Sequence, residues 1–136
     1  MRKTKIILIL FLLIITGCSP QNNNKKEYKY EGKNSNWQVQ FTESLNGIKD
    51  ERALTFTYKG DLSDLKAHKN LKYSYKTNTN HGSGDIDLGD SVNTKTFEHK
   101  VSGEGQSTNI IESDSVTVNI SLDENSETID LKIVTF

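Results

Sequence analysis

Cysteine, proline and tryptophan each occur once in the 136 residues, and aromatic side chains make up only 8 %. A single thiol excludes an internal disulfide. There is no HExxH or CxxC, and the three histidines, His68, His81 and His99, stand at no metal-ligand spacing from one another or from the cysteine. A GxSxG elbow is missing, and the glycine-rich stretches lack the lysine and the strand-to-helix setting of a phosphate cradle. No catalytic constellation and no cofactor signature is legible. The longest apolar run, Ile6 to Ile15, is ten residues. At about 1.5 Å per helical residue it reaches roughly 15 Å, half of the ~30 Å that a spanning helix must cross.

That run is nonetheless informative. Arg2, Lys3 and Lys5 precede it, and Thr16, Gly17, Cys18, Ser19 and Pro20 follow it. A basic start, a short apolar middle and small residues at the end form an export signal. A core helix is excluded, since the run is apolar on every face and abuts a charged cluster that must stay wet. Residues 1–17 therefore read as a helical signal peptide that is removed.

The end of the signal carries more. Ile15-Thr16-Gly17-Cys18 resembles the lipobox of bacterial lipoproteins: an aliphatic residue, two small ones and a cysteine. Family lipoboxes favour leucine where this chain has Ile15. The resemblance implies cleavage between Gly17 and Cys18, a diacylglyceryl group on the Cys18 sulfur and an acyl chain such as palmitate on the new amino terminus. It implies a partner too, the membrane, reached through the lipid on Cys18 at the extracytoplasmic face. The competing reading is an ordinary thiol with a general signal peptidase cutting nearby. Each buried CH₂ contributes about 0.8 kcal/mol, so two or more chains hold a small domain durably where one holds it marginally.

Without residues 1–17 the chain has 14 basic and 18 acidic residues, a net charge of −4. That balance solubilises and excludes nucleic acid as a partner. Residues 21–76 sum to +4 and residues 77–136 to −8. The asymmetry either sets a basic face against an anionic membrane or wall polymer, or is cancelled by interleaved strands, which is the preferred reading. After Cys18, "SPQNNNKKE" offers no apolar side chain except proline, so residues 18–27 are expected to be a lipidated cysteine and a flexible tether.

From Tyr28 onward the hydrophobic period is two. Trp37, Val39 and Phe41 alternate with polar residues, as do Leu54, Phe56 and Tyr58; Leu71, Tyr73 and Tyr75; Ile86 and Leu88; Phe97, His99 and Val101; Val116 to Leu122; and Ile129, Leu131 and Ile133. This predicts seven strands with one dry face each, and an eighth, weaker one around Tyr28 to Tyr30. Between them lie the turn stretches "LNGIKDE", "TNTNHGSGD", "SGEGQSTN" and "DENS", the last joining a C-terminal hairpin. Leu62 and Leu65 in "DLSDLKAHKN" allow a single helical turn. The expected fold of residues 28–136 is all-β, an antiparallel immunoglobulin-like sandwich, with a small β-barrel as the alternative. "NWQVQF", "LTFTYKGDL", "HGSGDIDLGD" and "VTVNISLDENSETIDLKI" resemble small lipoproteins of low-GC Gram-positive bacteria. That resemblance covers most of residues 31–134 and implies no reaction.

Among candidate site residues, His99 sits on the dry face beside Phe97 and Val101, the setting of a packed histidine rather than a ligand. "DIDLGD" places Asp85, Asp87 and Asp90 near one another, but Ile86 and Leu88 between them favour a strand over a calcium loop. Asp123-Glu124 falls in a turn too wet for acid catalysis. Trp37, Tyr73 and Tyr75, with Tyr28, Tyr30 and Tyr58, are the candidates for an aromatic binding surface, set against core packing. The functional expectation is a membrane-anchored, non-enzymatic binding or accessory domain for an envelope protein or wall polymer, of open oligomeric state. The alternative is a metal-binding protein or small hydrolase whose site is assembled from distant strands.

Overall fold

A computed structural model describes residues 25–104, 112–113 and 115–134. The signal, Cys18 and the lipobox lie outside the described residues. Eight strands and one short helix follow in the order β1 (Lys25–Lys33), β2 (Trp37–Asn46), β3 (Lys49–Tyr58), α1 (Leu62–Lys66), β4 (Asn70–Lys76), β5 (His81–Asp87), β6 (Thr96–Glu104), β7 (Val116–Leu122) and β8 (Asn125–Ile133). The chain is all-β and antiparallel, as the period of two requires. No described helix is long and apolar enough to cross a membrane.

Local chemistry explains the reversals. Between β1 and β2, the Asn34 side-chain oxygen accepts the backbone N–H groups of Asn36 (2.9 Å) and Trp37 (2.7 Å), closing an Asx-type turn. Between β2 and β3, Asn46 pairs with Lys49, leaving a two-residue loop in which Gly47 takes φ 64°. Glycine at the first loop position suits the right-handed twist of the flanking strands. Between β7 and β8, Leu122 pairs with Asn125, and Asp123 carries φ 52°, a left-handed conformation that aspartate tolerates.

All eight strands belong to one sheet, ordered β5-β4-β7-β8-β1-β2-β3-β6. Its midpoint is thin: β1 and β8 pair through Tyr30 with Ile133 and Glu31 with Lys132, with one further backbone bond from the Val134 N–H to the Lys29 carbonyl (2.8 Å). The sheet curls there into a half-barrel, bringing both halves around one core. Tyr30, Trp37, Phe41, Leu54 and Phe56 enter from one half and Leu71, Tyr75, Val118, Ile120 and Leu131 from the other. The Phe41 and Tyr75 rings meet at 4.9 Å between centroids, and Phe56 and Tyr73 at 5.1 Å. Leu65 of α1 and Val92 close the core at one end.

Three expectations change. The two stacked sheets of a sandwich are replaced by a single curled sheet, closer to the barrel alternative. Alternation marks the dry face of each strand, but says nothing of which edges join. β1 begins at Lys25, inside the stretch expected to be tether, because Lys25, Lys26 and Glu27 pair with Asn46, Leu45 and Ser44 of a long β2. Ladder hydrogen bonds need no apolar side chain. Finally, "HGSGD" is strand, not turn. Gly82 and Gly84 oppose Tyr75 and Tyr73 in the register, and a Cβ at either glycine would fall inside the facing tyrosine ring. The rings fill the space that the glycines vacate, which keeps a glycine-rich strand packed.

Asp123 fastens the segment after α1. Its carboxylate accepts the backbone N–H of Lys69 (2.9 Å) and Asn70 (3.0 Å) on one oxygen and His68 Nδ1 (2.9 Å) on the other, while its own N–H donates to the Asn70 carbonyl (2.9 Å). The Asn70 amide, then His68 and the Lys69 amide, hold the Asp123 carboxyl down at about 2. A depressed folded-state value means stability that is present above the ordinary carboxylate range and lost as pH falls toward 2. Asp123→Asn keeps an acceptor and tolerates the left-handed backbone. Its deficit against the parent in urea denaturation is therefore expected to be full at pH 6 and to close as the pH is lowered from 4 to 2.

Candidate functional site

β5 and β6 stand at the two ends of the strand order. Since every neighbouring pair is antiparallel, these two edges point in opposite directions, as two strands closing a barrel would. Among the described residues neither has a backbone partner on its outer edge. Side chains bridge the seam instead. Tyr73 on β4 reaches across Gly84, and its hydroxyl meets His99 Nδ1 of β6 at 2.8 Å. The Tyr75 ring lies 6.3 Å from the same imidazole. Burial pushes the phenols of Tyr73 and Tyr75 above their ordinary value, so both stay neutral hydrogen-bonding groups.

One end of the seam is shut by residues 88–95, tied down by the Leu88 N–H on the Lys69 carbonyl (2.7 Å) and the Tyr58 N–H on the Lys95 carbonyl (2.8 Å). Toward the other end it opens. Val101 shares the inner face with Arg52, its partner in the register, yet is 39 % exposed.

Beneath that opening lies a buried charge cluster. Glu43 occupies the dry face of β2 and is 1 % exposed; Asp50 and Arg52 occupy the dry face of β3. Arg52 Nε donates to Glu43 Oε1 at 3.1 Å, and its Nη2 donates to Asp50 Oδ2 at 2.6 Å. Asn80, in the turn leading into β5, donates its side-chain N–H to the same Glu43 Oε1 at 3.1 Å. That turn is built by Thr77, whose hydroxyl oxygen accepts the N–H groups of Thr79 and Asn80. Glu43 Oε2 is shut away from solvent and no donor among the described residues reaches it. Two carboxylates thus share one guanidinium, and the hydrogen-bonded trio sums to −1. An orphaned buried acceptor in a group of uneven charge marks either stored strain or a place for an incoming donor. β6 passes tightly over the trio: a Cβ at Gly103 would lie 2.6 Å from Asp50 Oδ1.

Two shallow depressions lie on the outer face. One, of about 500 Å³, has a floor of Ser74, Ser83, Asn119 and Ser121 flanked by Lys72 and Asp85. The other, of about 280 Å³, lies over Ala53 between Thr42, Ser44 and Ser102. Arg52 of the buried cluster reaches the lining of the second.

The residues singled out from sequence disperse. Trp37 is 1 % and Tyr75 4 % exposed, so they are core and not an exposed stacking surface. Trp37 packs on Phe56 and Tyr58 with centroids 5.9 and 5.1 Å apart. A lone large ring on the dry parity of a strand is consumed by the core. Tyr73 is half-buried at the seam. Among the histidines, His68 is committed to Asp123, His99 to Tyr73, and His81 is exposed at the start of β5. Asp85 and Asp87 lie on the exposed side of β5, and Asp90 in the loop beyond it. Among the described residues no three His, Cys, Asp or Glu side chains gather as metal ligands would.

The Glu43, Asp50 and Arg52 cluster was not read from sequence, though a signal exists. Glu43 follows Trp37, Val39 and Phe41 on the same parity, and Asp50 and Arg52 precede Leu54 and Phe56 on theirs. Charges on a dry face are rare unless paired. No protein-family model, curated protein or solved structure matches the chain.

Removing the shared cation tests the cluster. Arg52→Leu leaves Glu43 and Asp50 buried without it, and is expected to cost about 3 kcal/mol in urea denaturation at pH 7. Glu43→Gln, which keeps an acceptor for Arg52, is expected to cost less, about 1 kcal/mol.

Proposed function

We propose that this chain is an exported bacterial lipoprotein of the kind its lipobox resembles, held on the extracytoplasmic face of the cell membrane by lipid on Cys18. In this reading the half-barrel is a non-enzymatic binding or accessory domain. The observation that carries the anchor is Ile15-Thr16-Gly17-Cys18 closing a ten-residue apolar run, with the one thiol of the chain at the cut. Six residues, 19–24, separate Cys18 from Lys25, a reach of at most about 25 Å. The domain would ride close against the bilayer.

Binding is assigned to the open side. Two unpaired edges bordering a seam invite an extended segment to add as a strand, with backbone hydrogen bonds for affinity. A basic or amide side chain pointing inward over Val101 would supply the donor that Glu43 Oε2 lacks. An envelope protein offers such a segment more readily than a wall polymer, which has no β-backbone to pair. The metal-carrier and hydrolase alternatives find less support, because the buried carboxylates are engaged with Arg52 and no activated nucleophile adjoins them among the described residues.

Intact-mass analysis of the protein from its own membranes should show a chain that begins at Cys18 and carries acyl groups. Cys18→Ala should release the domain from the membrane fraction; firm retention of that variant would refute the anchor. Amide hydrogen exchange reads the binding side. Protection of the outer-edge amides of β5 and β6 should be higher in native membranes than in detergent-purified protein, and equal exchange at both edges would refute strand addition.

A further inference from the structure

We infer that the tip of the β2–β3 hairpin, led by Ile48, is a contact with an anionic lipid surface that fixes how the domain stands on its membrane. The inference rests on the anchor at Cys18 proposed above. Ile48 is 67 % exposed and, with Val101, is one of two exposed large apolar side chains among the described residues. It fills the second position of a two-residue loop, where hairpins ordinarily place a small polar residue. A β-branched apolar side chain at such a place breaks the local rule, and such breaks gather at functional positions.

The chain enters the domain at this same end. Lys25, the first residue of β1, pairs with Asn46, the last of β2, and Asn46 pairs on its other side with Lys49. Lys25 is seven residues from Cys18, at most about 25 Å of chain, so an anchor there holds the tip end of the domain to the membrane. β3 alone, Lys49 to Tyr58, spans about 30 Å at 3.3 Å per residue, which puts α1 at the far end.

Charge is graded along the same axis. Lys25 and Lys49 flank the tip, and their ion-pair partners Glu27 (2.5 Å) and Glu51 (2.6 Å) both register with Ser44, two residues farther from the turn. The lysines thus stand nearer the tip than their own carboxylate partners, with Glu104 in register beside Lys49. An apolar tip between two ammonium groups suits the boundary of an anionic bilayer, with the side chain at acyl depth and the charges among headgroups.

The lone native thiol makes the test selective. In the full-length lipidated protein Cys18 is blocked, so Ile48→Cys offers a single site for an environment-sensitive fluorophore. In vesicles of phosphatidylcholine and phosphatidylglycerol, the label at 48 should emit at shorter wavelength than in detergent-free buffer and be quenched by a nitroxide in the upper acyl chain. A label at Ser63→Cys, exposed on α1, should read as water. Emission at 48 that matches 63, in protein whose intact mass shows acyl groups on Cys18, would overturn the hairpin contact while leaving the anchor. A free thiol at 18 would overturn the anchor, and the inference with it.

Discussion

The fold hangs on two tyrosine rings laid across two glycines. Tyr75 and Tyr73 can reach from β4 over β5 only because residues 82 and 84 have no Cβ to meet them. From there Tyr75 packs at a tilt against Phe41 of the opposite half, and Tyr73 against Phe56 and His99. These contacts connect the two halves of a sheet whose backbone is joined at its midpoint by two residue pairs and one further hydrogen bond. A curled sheet so thinly hinged needs side chains to hold its mouth, and aromatic rings do this with large buried area and few rotatable bonds. The same device leaves the β5 edge lean, so closure of the core and exposure of an unpaired edge have one cause.

Charge follows a different logic. The basic first half and acidic second half of the sequence interleave, since β5, β7, β8 and β6 each lie beside one of β1 to β4. Close ion pairs nonetheless form mostly two residues apart on one strand: Lys25 with Glu27, Lys29 with Glu31, Lys49 with Glu51, Lys100 with Glu98. Such exposed pairs contribute little, because solvent screens them. The buried trio is another matter, because desolvating two carboxylates against one guanidinium is costly. A buried charge cluster of this kind adds little net stability over apolar residues of similar volume, whereas losing one partner leaves the others uncompensated.

Much of the architecture was legible because alternation depends only on the pleat. Each of the eight strands, the single helical turn at Leu62–Lys66 and the C-terminal hairpin contains the residues whose pattern announced it, though several strands run on into stretches read as turn or tether. Errors fell where backbone pairing overrides side-chain character. Lys25 to Glu27 are polar yet paired, and "HGSGD" is glycine-rich yet a strand, because its packing comes from rings on β4. The joining of edges was not legible at all, since a two-pair hinge leaves no mark in hydropathy. The aromatic candidates were taken up by the core, whereas the cluster that stands out in three dimensions is written only as a breach of parity at Glu43, Asp50 and Arg52.

Anchor, hairpin and seam bear on one another through the direction of β1. Because β1 starts beside the β2–β3 turn, the wide end of the seam, from Val101 to Gly103, lies toward the hairpin, and the end shut by residues 88–95 lies toward α1. If the hairpin rests on a bilayer, the open edges stand upright on it with their wide end down. A strand entering the seam would then come most easily from a chain itself close to the membrane, since a free polymer approaching from above meets the closed end. On that proposal the geometry favours a partner with an extended segment just outside the lipid, because the start of β1 and the wide end of the seam lie at the same end of the domain.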